Sequence, residues 1–203
     1  DIQNAFRLCP VRREDWPLLG FHWSSAFFLH VTLPFGSRSS PAIFTQFADL
    51  LSWLFSHVIH LPFLLHYLDD FFLAHHTSAL CHSDLARAID LCAQLGVPLA
   101  PHKFVFPTKQ IVYLGILIDT QLMQIRLPQD KLDKLVSLLD YWILLVSCSK
   151  RDLLSLIGSL SFACKVVRAG RIFLRRLIDF SMGFPRLSDT APLSSEALLD
   201  VSW

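Results

Sequence analysis

The sequence is short of charge and short of organised cysteine, and each shortage removes a class of function. Only 17% of its 203 residues are charged and they balance to a formal +1, so the chain is not a polycation that coats nucleic acid by bulk charge. A locally basic face is still compatible with that balance. The five cysteines (Cys9, Cys81, Cys92, Cys148 and Cys164) are odd in number, far apart and free of any Cys-x-x-Cys pair. That argues against a disulfide framework and a zinc ribbon, and fits a reducing compartment. The grouping His75, His76, Cys81 and His82 matches no standard zinc-ligand spacing. There is no internal repeat and no low-complexity tract, and no Lys/Arg run marks a nuclear address. The opening DIQNAFRLCP lacks the charged and apolar regions of a secretory leader. An intracellular protein is expected, with cytoplasm and nucleus both open.

What the chain has is apolar bulk: 53% hydrophobic residues, enough for a sizeable core in one domain or one domain plus an appendage. The strongest candidate for a membrane span, Leu50 to Leu68, contains His57, His60 and His66, is broken by Pro62 and runs into Asp69 and Asp70. These residues are costly at hydrocarbon depth, so no membrane partner is expected.

Periodicity places the first helix at SSPAIFTQFADLLSWLFSHVI, with Ser40 as N-cap, Pro41 in the first turn and Ile43, Phe47, Leu50, Leu51, Leu54 and Val58 on the apolar face. Two apolar runs, Phe63 to Leu68 and Phe71 to Ala74, predict a buried hairpin with Asp69 and Asp70 at its connection. A second helix is expected from Ser83, with Leu85, Ala88, Ile89, Cys92 and Leu95 as its stripe and Gly96 and Pro98 closing it. Two strands follow, near Ile111 to Ile118 and Leu122 to Leu127. After Pro128 the pattern is purely helical. Leu132, Leu135, Leu139, Trp142, Ile143 and Val146 form one stripe; Ser149 and Asp152 form a capping box ahead of Leu153, Leu156, Ile157 and Leu160; a last helix runs from Arg171 to Phe180. Gly183 to Pro192 reads as a linker. The order of elements predicts an α+β fold.

Two adjacent carboxylates in an apolar run need a cation, because an unpaired buried carboxylate costs several kcal/mol or becomes neutral. Asp is also common in turns, so the pair alone leaves a plain turn open. The surrounding motifs add to this. DIQNAFRLCPV (Asp1 to Val11), LPFGSRSSPAIF (Leu33 to Phe44), YLDD (Tyr67 to Asp70), LGVPLAPHKFVF (Leu95 to Phe106) and YLGILID (Tyr113 to Asp119) together resemble, in order, the palm of a reverse transcriptase. The segments Lys131 to Leu139 and Leu153 to Asp179 look most like the DIRS-type, tyrosine-recombinase retrotransposons, with gypsy-type elements as the nearer cousins otherwise. LSSEALLDVSW, Leu193 to Trp203, is similar to the lead-in to a ribonuclease H domain.

The resemblance implies a right-hand polymerase palm, an antiparallel sheet packed by helices, over residues 1–127. It further implies a helical thumb or connection over 128–182 and a linker over 183–203, with the fingers absent because the match begins on the first catalytic aspartate. The implied activity is RNA-directed DNA synthesis: a primer 3′-hydroxyl attacks the α-phosphate of a deoxynucleoside triphosphate and pyrophosphate leaves. By resemblance Asp1, Asp69 and Asp70 hold two Mg²⁺ ions, or Mn²⁺, and Lys103 is the candidate general acid. Phe6 takes the steric-gate position. Phe35, Gly36, Arg38 and Tyr67 lie at nucleotide- or template-binding positions. Tyr113, Leu114 and Gly115 match the primer grip, and the basic cluster Lys165, Arg168, Arg171, Arg175 and Arg176 lies where thumb residues follow phosphates. Arg168, Arg171 and Arg175 have the spacing to share one helix face. The partners implied are an RNA or DNA template with its primer and deoxynucleoside triphosphates. A catalytically inactive, nucleic-acid-binding remnant is the alternative reading.

Overall fold

The computed structural model describes residues 1–202, which divide into two compact units between Thr108 and Lys109. The boundary lies ahead of Pro128, where the sequence turns from mixed to mainly helical patterning.

In the first unit, strands β1 (Gly20–Trp23) and β2 (Ala26–Leu29) pair as an exposed hairpin. Helix α1 (Ser40–His57) follows, then the hairpin β3 (Leu64–Tyr67) and β4 (Asp70–Leu73), and then helix α2 (Ser78–Gln94). The core gathers Ile2, Phe44, Ala48, Leu51, Phe55, Leu61, Ala88 and Cys92, with Leu68 and Phe71 of the hairpin packed against it. α1 buries Phe44, Ala48, Leu51 and Phe55, while Ile43, Leu50 and Val58, expected on its apolar face, are exposed. Apolar residues occur all round this helix, so periodicity alone did not choose the face that packs. Ser40 is not the cap. It is the first helical residue, fully buried, and its hydroxyl donates to the Pro34 carbonyl at 2.9 Å. α2 begins five residues ahead of Ser83 because Thr77 supplies the cap, its hydroxyl accepting the Leu80 N–H at 3.2 Å.

In the second unit β5 (Gln110–Tyr113), β6 (Ile116–Asp119) and β7 (Gln124–Arg126) form one antiparallel sheet. The run read as a single strand from Ile111 is therefore two, divided at Leu114 and Gly115. Both residues have positive φ, +48° and +77°, the pattern of a two-residue hairpin turn. Then come α3 (Gln129–Ile143), β8 (Ser147–Ser149), α4 (Lys150–Ala163), α5 (Arg171–Met182), β9 (Thr190–Pro192) and α6 (Ser195–Val201). Ser149 is the N-cap as read, its Oγ accepting the Asp152 N–H at 3.2 Å, but the Asp152 carboxylate accepts the Ser149 hydroxyl at 2.7 Å in place of the backbone N–H of a capping box. The stretch after Gly183, read as a linker, is folded. β9 pairs with β8, and Ala197 and Val201 of α6 enter the core with Trp142, Leu153, Leu156 and Leu177. On α3 Trp142 is buried, whereas Leu132 and Ile143 of the expected stripe are exposed, and Val146 lies exposed beyond the end of the helix.

Candidate active site

Asp1, Asp69, Asp70 and Lys103 come from three segments that main-chain hydrogen bonds lace together. The Ile2 N–H donates to the Asp69 carbonyl at 3.1 Å, the Gln3 N–H to Pro98 at 2.8 Å and the Ala100 N–H to Asp1 at 3.1 Å. An isolated antiparallel bridge joins Ile2 to Leu99. Ile2 is buried in the core, which anchors the segment between these bonds. Asn4 then turns the chain with φ +56°, a left-handed conformation that asparagine tolerates better than most residues.

The acidic pair, expected together at the connection of the hairpin, straddles its end: Asp69 lies in the turn and Asp70 opens β4. Tyr67 pairs with Asp70 across the hairpin, leaving Leu68 and Asp69 as its two-residue connection. Leu68 has φ +52°, at the position where such turns usually place glycine. An L side chain there costs on the order of 1 kcal/mol, and packing of Leu68 on the core offsets it. His66, one residue before Tyr67, stacks on Phe71 at 5.2 Å and places Nε2 3.1 Å from the Asp49 carboxylate of α1. These contacts fix the hairpin on the helix.

Across these segments Lys103 Nζ lies 3.3 Å from Asp1 Oδ2. Three carboxylates are the hard oxygen donors that suit Mg²⁺. In the conformation described, however, the Asp1 carboxylate is engaged by Lys103, and among the described residues no three His, Cys, Asp or Glu side chains converge into an ion-holding group.

Phe6 lies on a short 3-10 turn (Ala5–Leu8), its ring 5.3 Å from Phe35 and 5.6 Å, edge-on, from Phe44. Phe44 is fully buried, so one face of Phe6 rests on the core. Phe35, Gly36 and Arg38 occupy the loop that the Ser40–Pro34 hydrogen bond holds against the start of α1. Gly36 has φ +87° with open space where a Cβ would project; Phe35, Arg38 and Tyr67 are exposed.

The remaining expected residues fall in the second unit. The Leu114–Gly115 turn meets two residues that sequence reasoning gave no role, Lys131 of α3 and Phe162 of α4: a Cβ on Gly115 would overlap Lys131 Nζ and press on Phe162 Cζ at 3.1 Å. The ammonium groups of Lys131 and Lys165 lie 4.6 and 5.2 Å from the centre of the Phe162 ring. Beside them a cleft of about 450 Å³ runs between α3 and α4, with Gly158 and Phe162 in its wall. The one available signal was spacing, since Gly158 and Phe162 are four apart on α4 and so share a face. The basic cluster is not one helical row. Arg168 sits in a separate 3-10 turn, Arg171 opens α5, and Arg175 pairs with Asp179 at 3.0 Å. Arg176 turns to the buried Asp200 of α6, Nε to Oδ2 at 2.8 Å.

The α+β scaffold that carries this hairpin is shared with solved structures of reverse transcriptases. A foamy viral protease-reverse transcriptase in complex with an RNA/DNA hybrid superposes with a TM-score of 0.74 at 18% identity, over 100% of this chain and 25% of that one. The same kind of protein in complex with double-stranded DNA gives 0.70 at 20% identity, over 100% of this chain and 39% of that one. The family follows from sequence. Residues 1–118 match the model of the reverse transcriptase (RNA-dependent DNA polymerase) family, and the chain belongs to it. It is also 28% identical over 126 residues to the Gag-Pol polyprotein of Avian reticuloendotheliosis virus, a match over 58% of this chain and 11% of the polyprotein. The chain thus spans a small part of that relative. No helix among the described residues is long and apolar enough to cross a membrane.

Proposed function

We propose that the chain is the palm and thumb portion of an RNA-directed DNA polymerase in a retroelement polyprotein, of DIRS-like or gypsy-like type, with the palm over 1–127 and the thumb over 128–182. The observation that carries this reading is the hydrogen bond from Ile2 to Asp69, which sets Asp1 beside the YLDD turn. Asp1, Asp69 and Asp70 would hold two divalent ions, Mg²⁺ or Mn²⁺, whose charge stabilises the attacking and leaving oxygens of nucleotidyl transfer. Lys103, beside Asp1, is the group to protonate departing pyrophosphate. Phe6, backed by Phe44, presents a ring that excludes a ribose hydroxyl by overlap, with Phe35 against it and Gly36, Arg38 and Tyr67 lining the approach of nucleotide and template. In the second unit Tyr113, Leu114 and Gly115 set the primer end, and Lys165, Arg168, Arg171 and Arg175 follow backbone phosphates.

Primer extension on an RNA template with Mg²⁺ and deoxynucleoside triphosphates tests the reading, using the chain and a form extended by its flanking coding sequence. Synthesis that falls at least about 100-fold in Asp69→Asn/Asp70→Asn supports it, the loss expected when the charge-stabilising ions lose their ligands. A folded extended form that makes no DNA, yet binds a template–primer duplex, would replace the polymerase with a binding module.

A further inference from the structure

We propose that the cleft between α3 and α4 binds a small amphipathic anion, a carboxylate carried on an apolar chain. Lys131 holds the acid group, and Lys165 adds its charge on the same aromatic ring. The site lies wholly within the second unit and is independent of the acidic hairpin.

Charge is the first reason. The ammonium groups of Lys131 and Lys165 lie 4.6 and 5.2 Å from the centre of the Phe162 ring, and neither lysine has a carboxylate within ion-pair distance among the described residues. Two like charges gathered on one ring raise the local potential for an anion. Lys134, at the same cleft, is already offset by Asp130 at 3.8 Å. Lys131 is the better placed of the unpaired two. It is half-buried, and its ammonium packs between the Phe162 ring and the Gly115 turn, where an added Cβ would overlap it. A cation held by its surroundings before the ligand arrives loses less freedom on binding.

Shape is the second. The cleft holds about 450 Å³, within the range of small-molecule sites, and Leu127, Leu135, Leu138 and Ala163 give it an apolar wall. Gly158 keeps part of it open, since nothing lies within 4 Å of where a Cβ would project. Inorganic phosphate would pair the charge and leave that wall wet, whereas a neutral hydrocarbon would cover the wall and leave the charge unpaired. A nucleic-acid backbone brings charge without an apolar body. A carboxylate on an apolar chain serves both halves of the site.

The test is titration of the full chain, ¹³C-labelled at its leucine methyl groups, with decanoate, and with decan-1-ol and inorganic phosphate as controls. Decanoate should move the signals of Leu127, Leu135 and Leu138 saturably, with each control at least about 10-fold weaker, the affinity equivalent of a hydrogen bond to a charged group. Lys131→Met should weaken decanoate by about the same factor, and Lys165→Met, whose ammonium is exposed, by about 2- to 5-fold. Lys131→Arg should retain binding. Gly158→Leu, which fills the cleft with a better helix former, should abolish binding while the denaturation midpoint holds or rises. Affinity unchanged in Lys131→Met and in Gly158→Leu would overturn the proposal. So would decanoate signals confined to Leu29 of the exposed β1–β2 hairpin, or phosphate that binds as tightly as decanoate, which would leave a plain anion site.

Discussion

Asp119 illustrates how much a single carboxylate does away from the acidic site. Its side chain accepts the N–H groups of Gln121 and Leu122, each at 2.9 Å, and the Gln110 amide at 2.7 Å, with Arg126 3.7 Å away. It thus organises the turn from β6 to β7 and ties it to β5. The Leu122 N–H is the main cause of a pKa held below the usual carboxylate range; desolvation pushes the other way, and Gln121, Gln110 and Arg126 add to the lowering. Because the folded pKa is below the unfolded one, about 3.9, the ionised group contributes stability in full above roughly pH 4. That contribution disappears as pH falls through the lowered folded value. Asp119→Asn should therefore lower the urea midpoint at pH 7, and the gap from the parent chain should close as pH falls below about 4 through the lowered folded value. A gap independent of pH would mean that the side chain acts through its shape and not its charge.

At the scale of elements, the turn between β5 and β6 depends on Gly115, whose φ of +77° strains any L side chain, while a Cβ there would also displace the flexible end of Lys131 and press on Phe162. Gly115→Ala should cost about 1 to 2 kcal/mol from backbone strain, with lost amide-exchange protection in β5, β6 and the facing turns of α3 and α4. An unchanged denaturation curve would show that the turn does not hold the left-handed conformation. This turn also marks where the sequence stopped being legible. YLGILID reads as one strand by composition, because Leu114 has no turn chemistry and only the tertiary fit of Gly115 divides it. The cap at Ser149 was legible because its hydrogen bonds to Asp152 are local. The start of α2 at Thr77 was as local, but Ser83 offered a competing cap. The buried face of α1 depended on β3, which no periodicity within the helix can reveal. In the candidate site the acidic hairpin was legible from its motif, whereas the ion pair between Asp1 and Lys103 spans a hundred residues and needed the fold. The aromatic and basic grouping of Phe162, Lys131 and Lys165 was invisible for the same reason, since it joins α3 to α4.

For the whole molecule, a formal charge of only +1 means that any hold on a nucleic-acid duplex has to come from where the charges sit. In the second unit Lys131 and Lys165 flank the Phe162 ring and Lys134 lines the same cleft, while Arg168 and Arg171 are exposed at the start of α5. Arg175 is already paired with Asp179, and Arg176 with Asp200. If about four of these cations meet phosphates, the affinity of the chain for an RNA/DNA hybrid should fall with a log–log salt slope of roughly −4, close to one unit per contact. Fluorescence anisotropy with a labelled hybrid between about 50 and 200 mM salt measures it. Arg168→Ala and Arg171→Ala should each flatten the slope by about one unit. Arg175→Ala should flatten it less, because Asp179 offsets its charge before any duplex arrives. A slope that Arg168→Ala/Arg171→Ala leaves unchanged would move the phosphate contacts off this face, and Lys131→Ala would then tell whether the cleft between α3 and α4 carries them instead.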